Sequence, residues 1–196
     1  MTQKLDVITI GRSSVDLYGA QVGGRLEDMR AFNKYVGGSP TNMAVGAARL
    51  GLRLTALVLL GIRDQRQFPL IFYRENCADM ALSEDDIDPD FIAEAGCVVA
   101  TGTHLSHPRT EAAVLKALRL ARTNGARAVL DIDYRPNLWG LSGHGDGENR
   151  FIASEAVSAK LQSTLPLFNL IVGTEEEFHI AGGSTDTISA LRRVRE

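Results

Sequence analysis

Apolar runs of strand length alternate along this chain with longer stretches of helical period, and Gly or Pro marks most of the joins. Residues 5–10 (LDVITI) form a β-branched apolar run that stops at Gly11 and predicts a buried strand. Residues 18–35 are mixed and glycine-containing, without helical period, and fit a small antiparallel excursion from a main sheet. Residues 43–52 (MAVGAARLGL) predict a helix of small residues, close-packed on a sheet and stopped by Gly51. Residues 54–62 (LTALVLLGI), the longest apolar run, and 68–73 (FPLIFY) predict two strands, most simply a hairpin across the charged residues 63–66. Residues 81–89 (ALSEDDIDP) predict an acidic connector with a short helical turn.

From Cys97 the rhythm is regular. Residues 97–100 predict a strand, 111–121 an amphipathic helix stopped by Gly125, and 128–132 (AVLDI) another strand. A polar, glycine-rich loop covers 140–149, a helix 151–165, a strand 170–172, and a last helix begins near 185. This alternation implies right-handed crossovers and an α/β fold: a mainly parallel sheet with helices on both faces. In such a sheet the residues after the strands' carboxyl ends share one edge. Asp16, Gly38, His104, Asp133, Arg135 and Glu176 are therefore expected to converge on one crevice.

The corner at residues 36–42 (VGGSPTN) combines a strand end, two glycines and a helix start. Gly37 and Gly38 leave room for a ligand against the main chain. Ser39 is suited to cap the helix, Pro40 to its first position, and Asn42 to its first turn. Free N–H groups at such a helix start attract polar or anionic ligands, although the local pattern also fits a plain tight turn. The neighbourhood of Asp16 and Arg135 favours the ligand.

A chain of 196 residues, 44% hydrophobic and 23% charged, is long enough for one domain with a sizeable core. A net charge of −3 points away from nucleic acid and from an acidic membrane surface. Cys77 and Cys97 have neither a disulfide framework nor metal spacing and are expected to be buried thiols. No charged-then-apolar leader and no span-length apolar run is present, so a cytoplasmic protein is the default expectation.

The converging residues exclude several chemistries. There is no G-x-S-x-G elbow, no P-loop, no G-x-G-x-x-G after the first strand and no Cys/His metal cluster. Asp16 and Asn42 suit sugar hydroxyls, and Arg74 and Arg135 suit a carboxylate or phosphate on the same substrate. Glu175, Glu176 and Glu177 could hold a hydrated Mg²⁺ or simply complement a helix dipole. His104, His107, His144 and His179 share no spacing and are expected to be solvated, and Trp139 to pack.

These residues carry a resemblance. GGSPTN followed by AVGAARLG resembles the first signature of the ribokinase-like (PfkB) carbohydrate kinases, and D-I-D-Y-R-P-N-L-W at 131–139 is similar to that family's D-x-N-x-R-x-x-L-W. The stretch FPLIFYRENCADMAL at 68–82, with GTEEEF and DIDYRP, narrows the likeness to the branch that acts on keto-deoxy sugar acids. The resemblance implies a ribokinase-like fold with a small β lid, its segments at about 12–36 and 54–76. It also implies ATP-dependent phosphorylation of a primary sugar hydroxyl, with ATP and Mg²⁺ as cofactors. Asp16, Gly37, Gly38 and Asn42 would bind the sugar, Arg74 and Arg135 its acid end, and Glu176, matched to the family's N-x-x-E, the metal. A homodimer through the lid is a further implication.

Three departures qualify it. Asp133 stands where the family often has Asn, and Gly173 where N-x-x-E has its Asn. The second signature, D-T-x-G-A-G-D, with the catalytic aspartate, is absent from these residues. They are accordingly expected to be an amino-terminal portion without the nucleotide-binding part, inactive alone. A βαβ-sized insert of roughly thirty residues, with its main-sheet strand, is expected to be missing near 51–55. Kinases of 2-keto-3-deoxygluconate, fructose or ribose are alternative readings, as is a non-catalytic sugar-binding remnant.

Overall fold

The first strand, β1 (Val7–Gly19), runs well past the apolar stretch that predicts it. Arg12, Ser14 and Asp16 continue the two-residue period of Ile8 and Ile10, and all five side chains are buried. The strand therefore persists where its hydrophobicity stops. The structure, a computed structural model, describes residues 4–21, 28–65, 77–143 and 151–196, without the side chains of 54–65.

Three strands pair with β1. β2 (Phe32–Gly37) runs antiparallel to its second half, with Ser14 opposite Gly37. β3 (Leu54–Gln65) runs parallel along nearly all of it, with Val7 opposite Leu54 and Tyr18 opposite Gln65. β4 (Cys97–Thr101) is parallel to its first half, up to Ile10 opposite Ala100. Because β3 holds one edge throughout, β4 and β2 must share the other. Their registers leave residues 11–13 of β1 between them. β5 (Arg127–Asp131) and β6 (Leu170–Val172) extend the parallel sheet beyond β4.

The expected vacancy in the main sheet does not exist. The run that resembles a lid strand is long enough to serve both purposes, its first half pairing β1 in the main sheet and its second pairing the half of β1 that carries β2 on the opposite edge. Its start is pinned by Asp6, which accepts Arg53 N–H and Nη2 at 2.8 Å each. That pairing holds the Asp6 carboxyl down at about 2. The hairpin partner at 68–73 lies outside the described residues.

α1 (Ser39–Arg49) follows β2 and packs on β1. α3 (Pro108–Thr123) packs on β4 and β5 through Ala113, Val114, Ala117, Leu118 and Ala121, which are buried with Ile8, Val98 and Leu130. The acidic connector contains 3₁₀ turns at Ala78–Ala81 and Glu84–Asp86, and α2 (Pro89–Ala93) follows, capped by Asp88. α4 (Glu155–Thr164) starts at the Ser154 cap, later than its apolar run suggests. α5 (Glu175–Gly182) and α6 (Thr187–Arg195) pack against each other and are capped by Thr174 and Asp186.

Two expectations about side chains change. Cys77 and Cys97 are half-buried rather than buried. His104 is fully buried rather than solvated, with its Nε2 4.0 Å from Asp79 and its Nδ1 3.5 and 3.4 Å from the hydroxyls of Thr101 and Thr103. The turn that carries it tucks beneath the segment bearing Asp79. His107 is exposed and caps α3 through the Arg109 N–H, and His144 lies outside the described residues. Trp139 packs against the core as its size predicts. Among the described residues no helix is long and apolar enough to cross a membrane.

Candidate functional site

The corner after β2 is tighter than its sequence suggests. Gly38, at φ 98°, is the residue that starts α1, and its carbonyl accepts the Asn42 N–H at 3.0 Å. A Cβ on Gly38 would fall on the carbonyl oxygen of Arg12, and one on Gly37 would fall on the Asp16 carboxylate. These glycines let the helix start lie against the stretch of β1 between its two partners. Ser39 is therefore inside the helix and not its cap. Its hydroxyl reaches across the crevice to donate to Asp131 at the end of β5.

A cavity of about 370 Å³ opens at this junction, within the range of small-molecule pockets. Its polar walls come from the middle of β1, the start of α1, the carboxyl end of β5 and the start of α5. Arg12, Asn42, Asp131, Asp133, Arg135 and Glu177 carry most of its chemistry. Gly38, Asn42 and Arg135 thus line the cavity as expected. Asp16 and Gly37 do not line it. Asp16 is buried beside Gly37, and its Oδ1 accepts the Ser14 hydroxyl at 3.0 Å. His104 is buried elsewhere, and Arg74 lies outside the described residues.

The acidic turn places a different glutamate in the crevice. Glu176 is exposed and lines a separate cavity of about 760 Å³ with Ser158, Gln162, His179 and Arg193. Glu177 is buried and turned inward. Thr174 and Glu177 form a reciprocal capping box, with Thr174 N–H donating to Oε2 at 2.8 Å. The T-x-x-E spacing was the available signal for this orientation.

Asp133 and Arg135 follow β5 with opposite charges. Asp133 takes φ 36°, the only non-glycine residue with positive φ among those described. Arg135 Nη2 lies 2.7 Å from Asp133 Oδ1, and its Nη1 lies 3.6 Å from Glu177 Oε1. Arg12 Nη2 lies 3.9 Å from Asp133 Oδ2. Burial, helped by the negative charges of Asp133 and Glu177, raises the Asp131 carboxyl, against the opposing Ser39 hydroxyl and Arg135. Tyr134 between them is buried, which pushes its hydroxyl up to about 12, and it donates to Ile152 O at 2.6 Å.

Arg12 and Asp131 are cavity residues that motif reasoning passed over. Arg12 was hidden because the apolar run ends two residues before it, although the two-residue period continues through it.

Residues 4–68 match the pfkB family carbohydrate kinase model. The chain is 28% identical over 220 residues to the 5-dehydro-2-deoxygluconokinase of Shouchella clausii, covering 93% of this chain and 64% of that protein. The chain thus matches the pfkB family of carbohydrate kinases in its first third and is similar to one such kinase along nearly its whole length. Crystal structures of a PfkB protein from Polaromonas (TM-score 0.78, 22% identity) and of an E. coli putative ribokinase II with ATP and Mg²⁺ (TM-score 0.77, 17% identity) share its fold. Each covers 97% of this chain, and the chain covers 72% and 68% of them, respectively.

The Shouchella match extends over more residues than the 196 of this chain, so the relative carries internal residues without a counterpart here. That agrees with an omitted insert, though β3 fills the strand position. In the pfkB pattern N-x-x-E, counting from Thr174 ends on Glu177, and Thr174 occupies the helix cap. Among the described residues no three His, Cys, Asp or Glu side chains converge as a metal cage.

Proposed function

We propose that the protein phosphorylates a sugar acid, 5-dehydro-2-deoxygluconate, on its primary hydroxyl, with ATP as phosphoryl donor. The observation that carries this reading is one cavity at the sheet's carboxyl edge where two guanidiniums, three carboxylates and an amide meet the glycine corner. Hydroxyl-rich ligands need such mixed donors and acceptors, and guanidinium is the partner that favours an acid. The name of the Shouchella relative supports the substrate, and the nucleotide bound by the E. coli neighbour supports ATP.

In this reading Asn42 and the N–H groups of the α1 start bind sugar hydroxyls, with Asp16 and Gly37 shaping the wall behind them. Arg135, with Arg74, holds the acid end. Glu177 rather than Glu176 stands on the side where Mg²⁺ and phosphate are expected. Both of its oxygens already accept backbone N–H groups, so it does not fit the role of a bare metal ligand. Magnesium is held largely by phosphates and water in such sites. The proposal includes a cytoplasmic enzyme of inositol catabolism and a dimer through the lid strands.

An ADP-release assay on the full-length protein tests the reading. Turnover with 5-dehydro-2-deoxygluconate is expected to exceed that with fructose, ribose or 2-keto-3-deoxygluconate at equal concentration. Faster turnover with a neutral sugar, or none with any sugar, overturns it.

A further inference from the structure

We propose that Arg12 is a specificity-determining residue, the partner of Arg135 in gripping the carboxylate of an acidic substrate. This rests on the sugar-acid reading above and names a residue that neither the motifs nor the comparisons assign. Arg12 is buried on a strand face shared with Ile8, Ile10, Ser14 and Asp16, yet it lines the cavity. Buried arginine is held by anions, and Asp133 faces its guanidinium from the cavity side.

The geometry around Asp133 shows what that position offers. One Asp133 oxygen lies 2.7 Å from Arg135 and the other 3.9 Å from Arg12. A single carboxylate is thus flanked by two guanidiniums, one to each oxygen. Two forks spaced by the width of a carboxylate can take a second carboxylate from the cavity side. Asp133 sits in a left-handed conformation that L residues rarely adopt. Such backbone persists where a side chain must be aimed, and here it is aimed between the two arginines. The departure from Asn at position 133 has the same logic, because an extra negative charge balances an extra buried guanidinium.

Calorimetry on the full-length protein tests the proposal with 5-dehydro-2-deoxygluconate and with the same sugar carrying a carboxamide in place of its carboxylate. The wild-type protein is expected to prefer the acid, and Arg12→Gln to shrink that preference about tenfold by loss of one charged fork. Arg12→Lys keeps the charge without the fork and is expected to fall between them. Equal weakening for both ligands marks a merely structural Arg12 and overturns the proposal, as does an unchanged preference. If Arg12→Gln does not fold, Arg12→Lys decides by the same ratio. A wild-type protein without any preference for the acid overturns the substrate class itself, which is a different failure.

Discussion

Glu177 Oε1 accepts the backbone N–H of Tyr134 at 2.9 Å. Its other oxygen accepts Thr174 N–H at the start of its own helix. One side chain thus fastens the first turn of α5 to the chain leaving β5, and it does so beside Arg135. Glu177→Ala would strip two backbone donors of their acceptor and remove one anion from Arg135. The expected loss is about 2–4 kcal/mol of stability, read by urea denaturation. Glu177→Gln keeps one acceptor oxygen and is expected to recover part of that loss.

The corner at Gly38 makes a sharper demand. Gly38→Ala introduces a side chain at φ 98° and directs it onto the Arg12 carbonyl. Gly51 also has positive φ, but a Cβ there meets nothing within 4 Å. Gly51→Ala is expected to cost about 1 kcal/mol from backbone strain alone, and Gly38→Ala about 1–3 kcal/mol more. Parallel denaturation curves separate the two contributions. Sugar binding is expected to weaken only for Gly38→Ala.

Asp131 gives a pH signature. Its carboxyl is raised in the folded protein, chiefly by burial. As pH climbs through the ordinary carboxylate range and just above it, the unfolded chain releases this proton first, so this group's contribution to stability declines. Asp131→Asn cannot ionise and can still accept from Ser39. It is expected to gain stability relative to wild type across that window, measured as paired thermal melts. A gap that stays constant with pH contradicts the expectation.

The buried pair of His104 and Asp79, which does not line the cavity, predicts a purely structural defect. His104→Ala leaves a hole and deprives the Thr101, Thr103 and Asp79 side chains of a polar neighbour. A loss of about 2–4 kcal/mol is expected by denaturation. Sugar affinity of the folded fraction is expected to stay near wild type.

Much of the architecture is legible in the chain because apolar periodicity reports burial. The runs at 97–100, 128–132 and 170–172 are strands, and α3 grows from the amphipathic stretch that predicts it. Periodicity failed where the buried side chains are polar. Arg12, Ser14 and Asp16 concealed the second half of β1, and His104 resembled an ordinary loop residue until Asp79 closed over it. The site was legible as a place more than as a list. Strand ends converge as parallel topology requires, but which of two adjacent glutamates points inward depends on a helix cap. Ser39 likewise has cap chemistry, but Gly38 takes the cap position because only glycine fits against Arg12.

The strand order carries a kinetic consequence. The walls of the cavity come from residues as far apart as Arg12 and Glu177, and β1 reaches β5 only through β4. No short segment of the chain contains a preformed half of the pocket. Closing such distant pairings is slow, and the binding surface is complete only once all of them, the docking of α5 beside β5 included, are formed. Ligand capture during refolding therefore times the end of folding, whereas helix formation in α3 times an early step.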